Sequence, residues 1–185
     1  MVNLAPYSFF NAVGYRPMTV MFCPQLTGDL EEKDTLRNAK PPAEGGTGEF
    51  VLNLATEPLT RAVAVTAERL PSGESEVELA GLEMAPSVQV RAPRVARSPV
   101  AFECRTTRVL RDLDPDVPDS TNVVVFGRVV WIHVHDEVID ARTRLDPDKL
   151  RAIGRMAGIS YASTRDRADV PSGRAALLLP EPFDG

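Results

Sequence analysis

Two long runs in the second half of the chain decide what it can fold into. Val100 to Val109 alternates, with Val100, Phe102 and Cys104 on one face and Glu103, Arg105 and Thr107 on the other. Asn122 to His135 is longer and is the strongest strand candidate of all. Two shorter apolar runs, Met18 to Cys23 and Glu49 to Ala55, read as buried strands, the second through Phe50, Val51, Leu52 and Leu54. Residues 3–8 are expected to add a further strand. Gly14 to Pro17 is a turn, and Pro93 and Pro99 bracket a segment suited to an edge or bend.

Helical signals are short by comparison. Lys33-Asp34-Thr35-Leu36-Arg37-Asn38 reads as one helix, capped by Asp34 or a neighbour. Thr56 can cap a second, with Pro58 in its first turn, that runs to about Leu70 and stops at Pro71-Ser72-Gly73. Ser75 to Leu82 suggests a third, and Asp146-Pro147 opens a fourth that reaches about Ile153. Residues 40–48 and the acidic stretch 112–121 are loops, and 175–185 is expected to be a loosely ordered tail. The fold class implied is mainly β with short helices: an antiparallel barrel core in a single domain.

With 185 residues the chain can bury a sizeable core. Its net charge of −5 argues against nucleic acid or an anionic membrane as partner, while leaving room for a local basic pocket. Cys23 and Cys104 stand far apart without a C-x-x-C, which fits two buried thiols in a cytoplasmic protein. No signal peptide or membrane-length apolar run is evident. There is no G-x-G-x-x-G after a strand, no phosphate-binding P-loop and no nucleophile motif.

Chemistry-bearing side chains gather near the start. Asn3, Ser8 and Asn11 lie among Tyr7, Phe9 and Phe10, with Pro6 removing one backbone donor. Such a stretch suits a flat heteroaromatic ligand as well as it suits a strand end packed in the core. In Lys33-Asp34-Thr35 a lysine charge and a threonine hydroxyl could meet an anionic phosphate, or simply open a solvated helix. Asn53 is either a ligand contact or a satisfied strand-end amide. His133 and His135 share one face of a strand, but a third ligand at convincing spacing is lacking, so no metal is expected.

Taken in order, NLAPYSFFNAV, VMFCPQ, KDTLRN, GEFVLNL, ELAGLEMAPS, SPVAFEC, VVVFGRVVWIHVHDEVID and LRAIGRMAGISYA resemble the flavin reductase-like family with the FMN-binding split-barrel fold. The resemblance implies an FMN-dependent oxidoreductase that receives hydride from NAD(P)H, with a non-catalytic or degenerate flavin-binding barrel as the alternative. It implies that Asn3, Leu4, Ala5, Pro6, Tyr7, Ser8 and Asn11 run along the isoalloxazine ring, joined by Asn53. Lys33, Asp34 and Thr35 would then lie at the FMN phosphate. Arg155 and Tyr161 would close over the cofactor, or else be a surface arginine and a packing tyrosine. His133 would face substrate or nicotinamide. A homodimer is the expected assembly. Family members carry a strand ahead of the NLAP segment. The sequence starts two residues before it, so the expectation is either a misplaced start or an N-terminally short barrel lacking its first strand, with weak FMN binding by the chain as given.

Overall fold

A computed structural model of the chain describes residues 2–71, 73–111, 116–117, 119–180 and 182–183. Parts of the expected acidic loop (112–115 and 118), of the Pro71-Ser72-Gly73 stop (Ser72) and of the tail (181, 184 and 185) lie outside these residues.

The frame is a five-stranded sheet built from β1 (Phe10–Tyr15), β2 (Met18–Phe22), β3 (Glu49–Asn53), β6 (Val100–Arg111) and β7 (Val123–Val134), in the order β1-β2-β7-β6-β3. Every pairing within it is antiparallel. The two 12-residue strands β6 and β7 form its spine, as their alternation requires. Two bulges interrupt their register, between Glu103 and Cys104 and between Thr106 and Arg108. A bulge adds local twist, and twist curls the sheet towards a barrel. The outer strands β1 and β3 do not pair, so the barrel stays open.

Short elements decorate this frame: α1 (Asp34–Ala39), α2 (Thr60–Val65), α3 (Glu76–Leu79) and α4 (Pro147–Leu150), a ribbon of β4 (Met84–Ala85) with β5 (Arg94–Val95), and a hairpin of β8 (Ile153–Arg155) with β9 (Tyr161–Ser163). Asp146 caps α4, accepting hydrogen bonds from the Asp148 and Lys149 amides at 2.9 and 3.3 Å. By contrast Lys33, not Asp34, occupies the N-cap of α1, and it makes no side-chain cap bond. Neither does Thr56 at the 3-10 turn (Glu57–Leu59) that leads into α2. Thr66 ends α2 earlier than expected, its hydroxyl donating back to Val63 O at 3.0 Å.

Phe22, Leu36, Ala39, Val123 and Val125 form a buried cluster, so β2, β7 and α1 share one core. Fully burying a side chain such as Leu36 contributes about 1.5–3 kcal/mol. Phe22 stands edge-on to Phe50 at 5.1 Å and tilted to Tyr7 at 5.2 Å. Gly127 is required here, because a Cβ at that position would lie 2.4 Å from the Phe50 ring. Thr106 ties the end of α1 to β6 through a 2.5 Å bond to Ala39 O.

Residues 3–8 are not a strand, contrary to expectation. Pro6 has no N–H to give a ladder, and the segment finds side-chain partners instead. Asn3 Nδ2 donates to Thr35 Oγ1 at 2.8 Å, and the Leu4 amide donates to Glu76 Oε2 at 3.2 Å. The chain thus runs extended between α1 and α3. It pairs as a strand only from Phe10, where the hairpin with β2 begins. The hairpin β8–β9 was likewise not anticipated; it docks on the end of β3 through the Ile153 amide, which donates to Ala55 O at 3.1 Å.

Candidate functional site

Between the N-terminal segment, α1, β3, α2 and the β8–β9 hairpin lies a cavity of about 750 Å³. Its walls are largely apolar, including Phe22, Phe50, Leu52 and Val63. A small set of polar groups interrupts them, the composition expected of a cofactor site.

Most of the residues anticipated from sequence meet here although they come from separate parts of the chain. Asn3, Leu4, Ala5, Pro6, Tyr7 and Ser8 form one wall. Thr35 and Asn53 face the same space, as do Arg155 and Tyr161 from the hairpin. Asn11, Lys33, Asp34 and His133 do not line it. Asn11 is exposed on edge strand β1, opposite Met21. Asp34 is exposed and pairs with Arg37 at 2.9 Å.

Local bonding fixes these groups. Thr35 is bracketed by Asn3 and by the Tyr7 hydroxyl. Burial pushes the Tyr7 phenol up, partly offset by the Thr35 bond, so Tyr7 stays neutral and able to donate. Asn53 Oδ1 accepts from the Val95 amide at 2.8 Å, which orients the side chain and leaves its NH₂ as the end available to a ligand. Arg155 donates to Tyr161 Oη at 3.0 Å and to Gly158 O, and its guanidinium sits 5.0 Å from the Tyr161 ring centre. Asn53 and Tyr161 are thus each hydrogen-bonded within the fold, and each borders the cavity.

Arg91 and Glu49 also line the cavity, and no local sequence pattern points to them. Glu49 Oε2 accepts from the Arg91 amide at 3.0 Å and from its Nε at 3.4 Å. Nor does any such pattern reveal the group that holds this wall from behind. Glu103 is fully buried. Its Oε1 accepts from the Val88 amide at 2.7 Å and lies 2.5 Å from His133 Nε2; its Oε2 accepts from the Gln89 and Val90 amides at 2.6 and 3.1 Å. Burial pushes this carboxyl up, but the Val88 amide, His133 and the other two amides together outweigh it and hold the pKa below the ordinary range. His133 therefore faces Glu103 rather than the cavity, and the loop it helps to fix leads straight into Arg91.

These features coincide with a family assignment. A model of the flavin reductase like domain matches residues 1–153. The chain belongs to the flavin reductase-like family. Its open antiparallel sheet is the split barrel of that family. A protein of Aquifex aeolicus is 34% identical over 161 residues, covering 87% of this chain and 76% of that one. Nitrilotriacetate monooxygenase component B from Bacillus cereus is 33% identical with a TM-score of 0.80, over 90% of this chain and 78% of that one. The 2-nitrobenzoate 2-nitroreductase NbaA of Pseudomonas fluorescens is 28% identical with a TM-score of 0.76, over 97% and 80%. No helix among the described residues is long and apolar enough to cross a membrane.

Proposed function

We propose that this flavin reductase-like chain holds FMN in the large cavity and works as an NAD(P)H-dependent flavin oxidoreductase in the cytoplasm. The observation that carries this reading is the convergence of Asn3 to Ser8, Thr35, Asn53, Arg155 and Tyr161 on one apolar space of about 750 Å³. The donor set fits the group: neutral amides, hydroxyls and a phenol for a polar ring edge, and guanidiniums for a phosphate dianion. When bound, FMN accepts hydride from NAD(P)H and passes electrons to free flavin or another acceptor.

The chain's own residues position and enclose. Asn3 to Ser8 offer a flat wall stiffened by Pro6. The Asn53 amide and the Tyr7 hydroxyl donate towards the ring's polar edge. Arg155 and Tyr161 close the opposite side and exclude water. Thr35, with Lys33 or Arg91 supplying charge, takes the phosphate. His133 acts at one remove, by holding Glu103 and through it the loop before Arg91. A homodimer belongs to the same reading, since Trp131, Ile132 and Val134 near the end of β7 are exposed.

The test is a fluorescence titration with FMN and riboflavin. Wild type is expected to bind both and to prefer FMN. Lys33→Ala and Arg91→Ala separate the candidate cations: the one that faces the phosphate loses roughly 10- to 100-fold for FMN and little for riboflavin. Anaerobic bleaching of the flavin band by NAD(P)H distinguishes an enzyme from a flavin carrier. Absence of flavin binding by wild type would refute the reading.

A further inference from the structure

We propose that a second cavity, back to back with the first, binds a small ligand carrying an oxyanion, a phosphate or a carboxylate, with Arg97 as its anchor. This cavity has a volume of about 420 Å³. Leu59, Pro99 and Val138 are among its apolar lining residues, with Arg97, His135, Lys149 and Arg151 beside them. Glu137 is the acidic residue of its lining. The partition between the two cavities is thin: Leu59 borders both, and the neighbours Ala55 and Thr56, Val95 and Ala96, and Ser98 and Pro99 each face opposite sides. None of the residues assigned to flavin belongs to the second cavity.

The charges are arranged for capture. Lys149 Nζ is fixed by Ile139 O at 2.9 Å. Arg151 is fixed by Glu57, through Nε at 3.0 Å and Nη2 at 2.6 Å. Glu57 also serves Arg165, at 2.7 Å from its Nε, so two guanidiniums share one carboxylate and positive charge is left over. His135 Nδ1 lies 3.6 Å from Glu137 Oε1. Arg97 alone of these cations has no hydrogen bond or ion pair among the described residues.

A chain of net charge −5 thus gathers three permanent cations around one concave space. A low-dielectric wall focuses such a field on whatever enters. An arginine fork matches a carboxylate or phosphate in two parallel bonds. Because Lys149 and Arg151 are already held, only Arg97 must be ordered on binding, which lowers the entropic cost. Leu59, Pro99 and Val138 would meet an apolar part of the ligand.

The experiment is isothermal titration at low salt with AMP, benzoate and adenosine. Wild type is expected to bind AMP or benzoate saturably and adenosine not at all, and the better of the two anions identifies the oxyanion class. Arg97→Ala is expected to weaken that binding about 10-fold or more, and Arg97→Lys about 3-fold, since lysine keeps the charge and loses the fork. Arg97 is exposed and unpartnered, so both variants should fold, which a thermal melt checks. Thr35→Val, in the other cavity, should leave anion affinity unchanged. The proposal is overturned if neither anion saturates in the millimolar range, if Arg97→Ala binds as wild type does, or if the loss appears in Thr35→Val. None of these outcomes depends on whether flavin binds.

Discussion

Replacing Glu103 by glutamine removes the charge that pins the loop 88–90 while keeping the side chain's shape. In the best rearrangement the glutamine oxygen takes the place of Oε2 and keeps the Gln89 and Val90 amides. Those two bonds then fall from charge-assisted to neutral, a loss of about 1 kcal/mol each. The new NH₂ faces His133, whose Nε2 can turn acceptor by changing tautomer. It also faces the Val88 N–H, a part-buried donor on an exposed residue, which loses its partner at a cost of up to about 2 kcal/mol, since water replaces part of the bond. The sum is a destabilisation of about 2–4 kcal/mol, or a drop in Tm of about 4–16 °C for a chain of this size. Urea unfolding followed by circular dichroism measures it. A loss below about 1 kcal/mol would mean that the carboxylate does not carry the loop. The pH dependence adds an independent check. Because the folded pKa of Glu103 is depressed below its ordinary 4.5, its contribution is complete above that value and disappears as pH falls through the lower, folded pKa. The gap between wild type and variant should therefore be full at neutral pH and narrow below about pH 4.

Gly127→Ala should destabilise by about 1–3 kcal/mol, since the new methyl would meet Phe50 ring carbons at 2.4 and 2.6 Å; a thermal melt reads the loss, and Phe50→Leu in the same chain should recover part of it. Cys104, buried and pushed up to about 12 by that burial and by Glu103, should resist a thiol reagent at mildly alkaline pH until the protein unfolds, whereas ready labelling of the folded chain would contradict its placement. Glu57→Gln should free the segment that follows β9, which Arg165 fastens to it, and release Arg151 ahead of β8. Trypsin cleavage after Arg165 is expected to accelerate several-fold, and an unchanged rate would show the latch to be idle. In wild type the bonds from Arg165 and Arg151 hold the Glu57 pKa at about 2, so the latch is complete above the ordinary carboxylate range and opens only as pH approaches that value.

Strands β2, β3, β6 and β7 were legible because apolar runs and two-residue alternation are local signals. β1 was not: it is exposed along its whole length, so no buried stripe marks it. The N-terminal segment looked like a strand, but Asn3 and the Leu4 amide found Thr35 and Glu76, partners distant in sequence. Glu103 shows the limit most clearly. Alternation placed it on the outward face, and it does leave that side of β6, but loop 88–90 covers it there and a bulge beside it shifts the register. No local pattern announces a covering loop. At the site, Asn3 to Ser8, Thr35, Asn53, Arg155 and Tyr161 came from the family resemblance, while Arg91 and Glu49 enter only through the fold of the 91–95 segment across β3.

The strand order of the sheet also sets an order of assembly. β1 with β2, and β6 with β7, join stretches close in sequence, and such contacts form early because little loop entropy opposes them. β2 must then find β7, and β3 must find β6, across far longer separations. The large cavity needs more: β3 docked, the N-terminal segment laid against α1, and the β8–β9 hairpin brought back from near the other end of the chain. The pocket is thus a late product of folding, completed when the hairpin seats on Ala55. A ligand there can stabilise the finished protein by mass action, but it has nothing to grip while the sheet is being assembled.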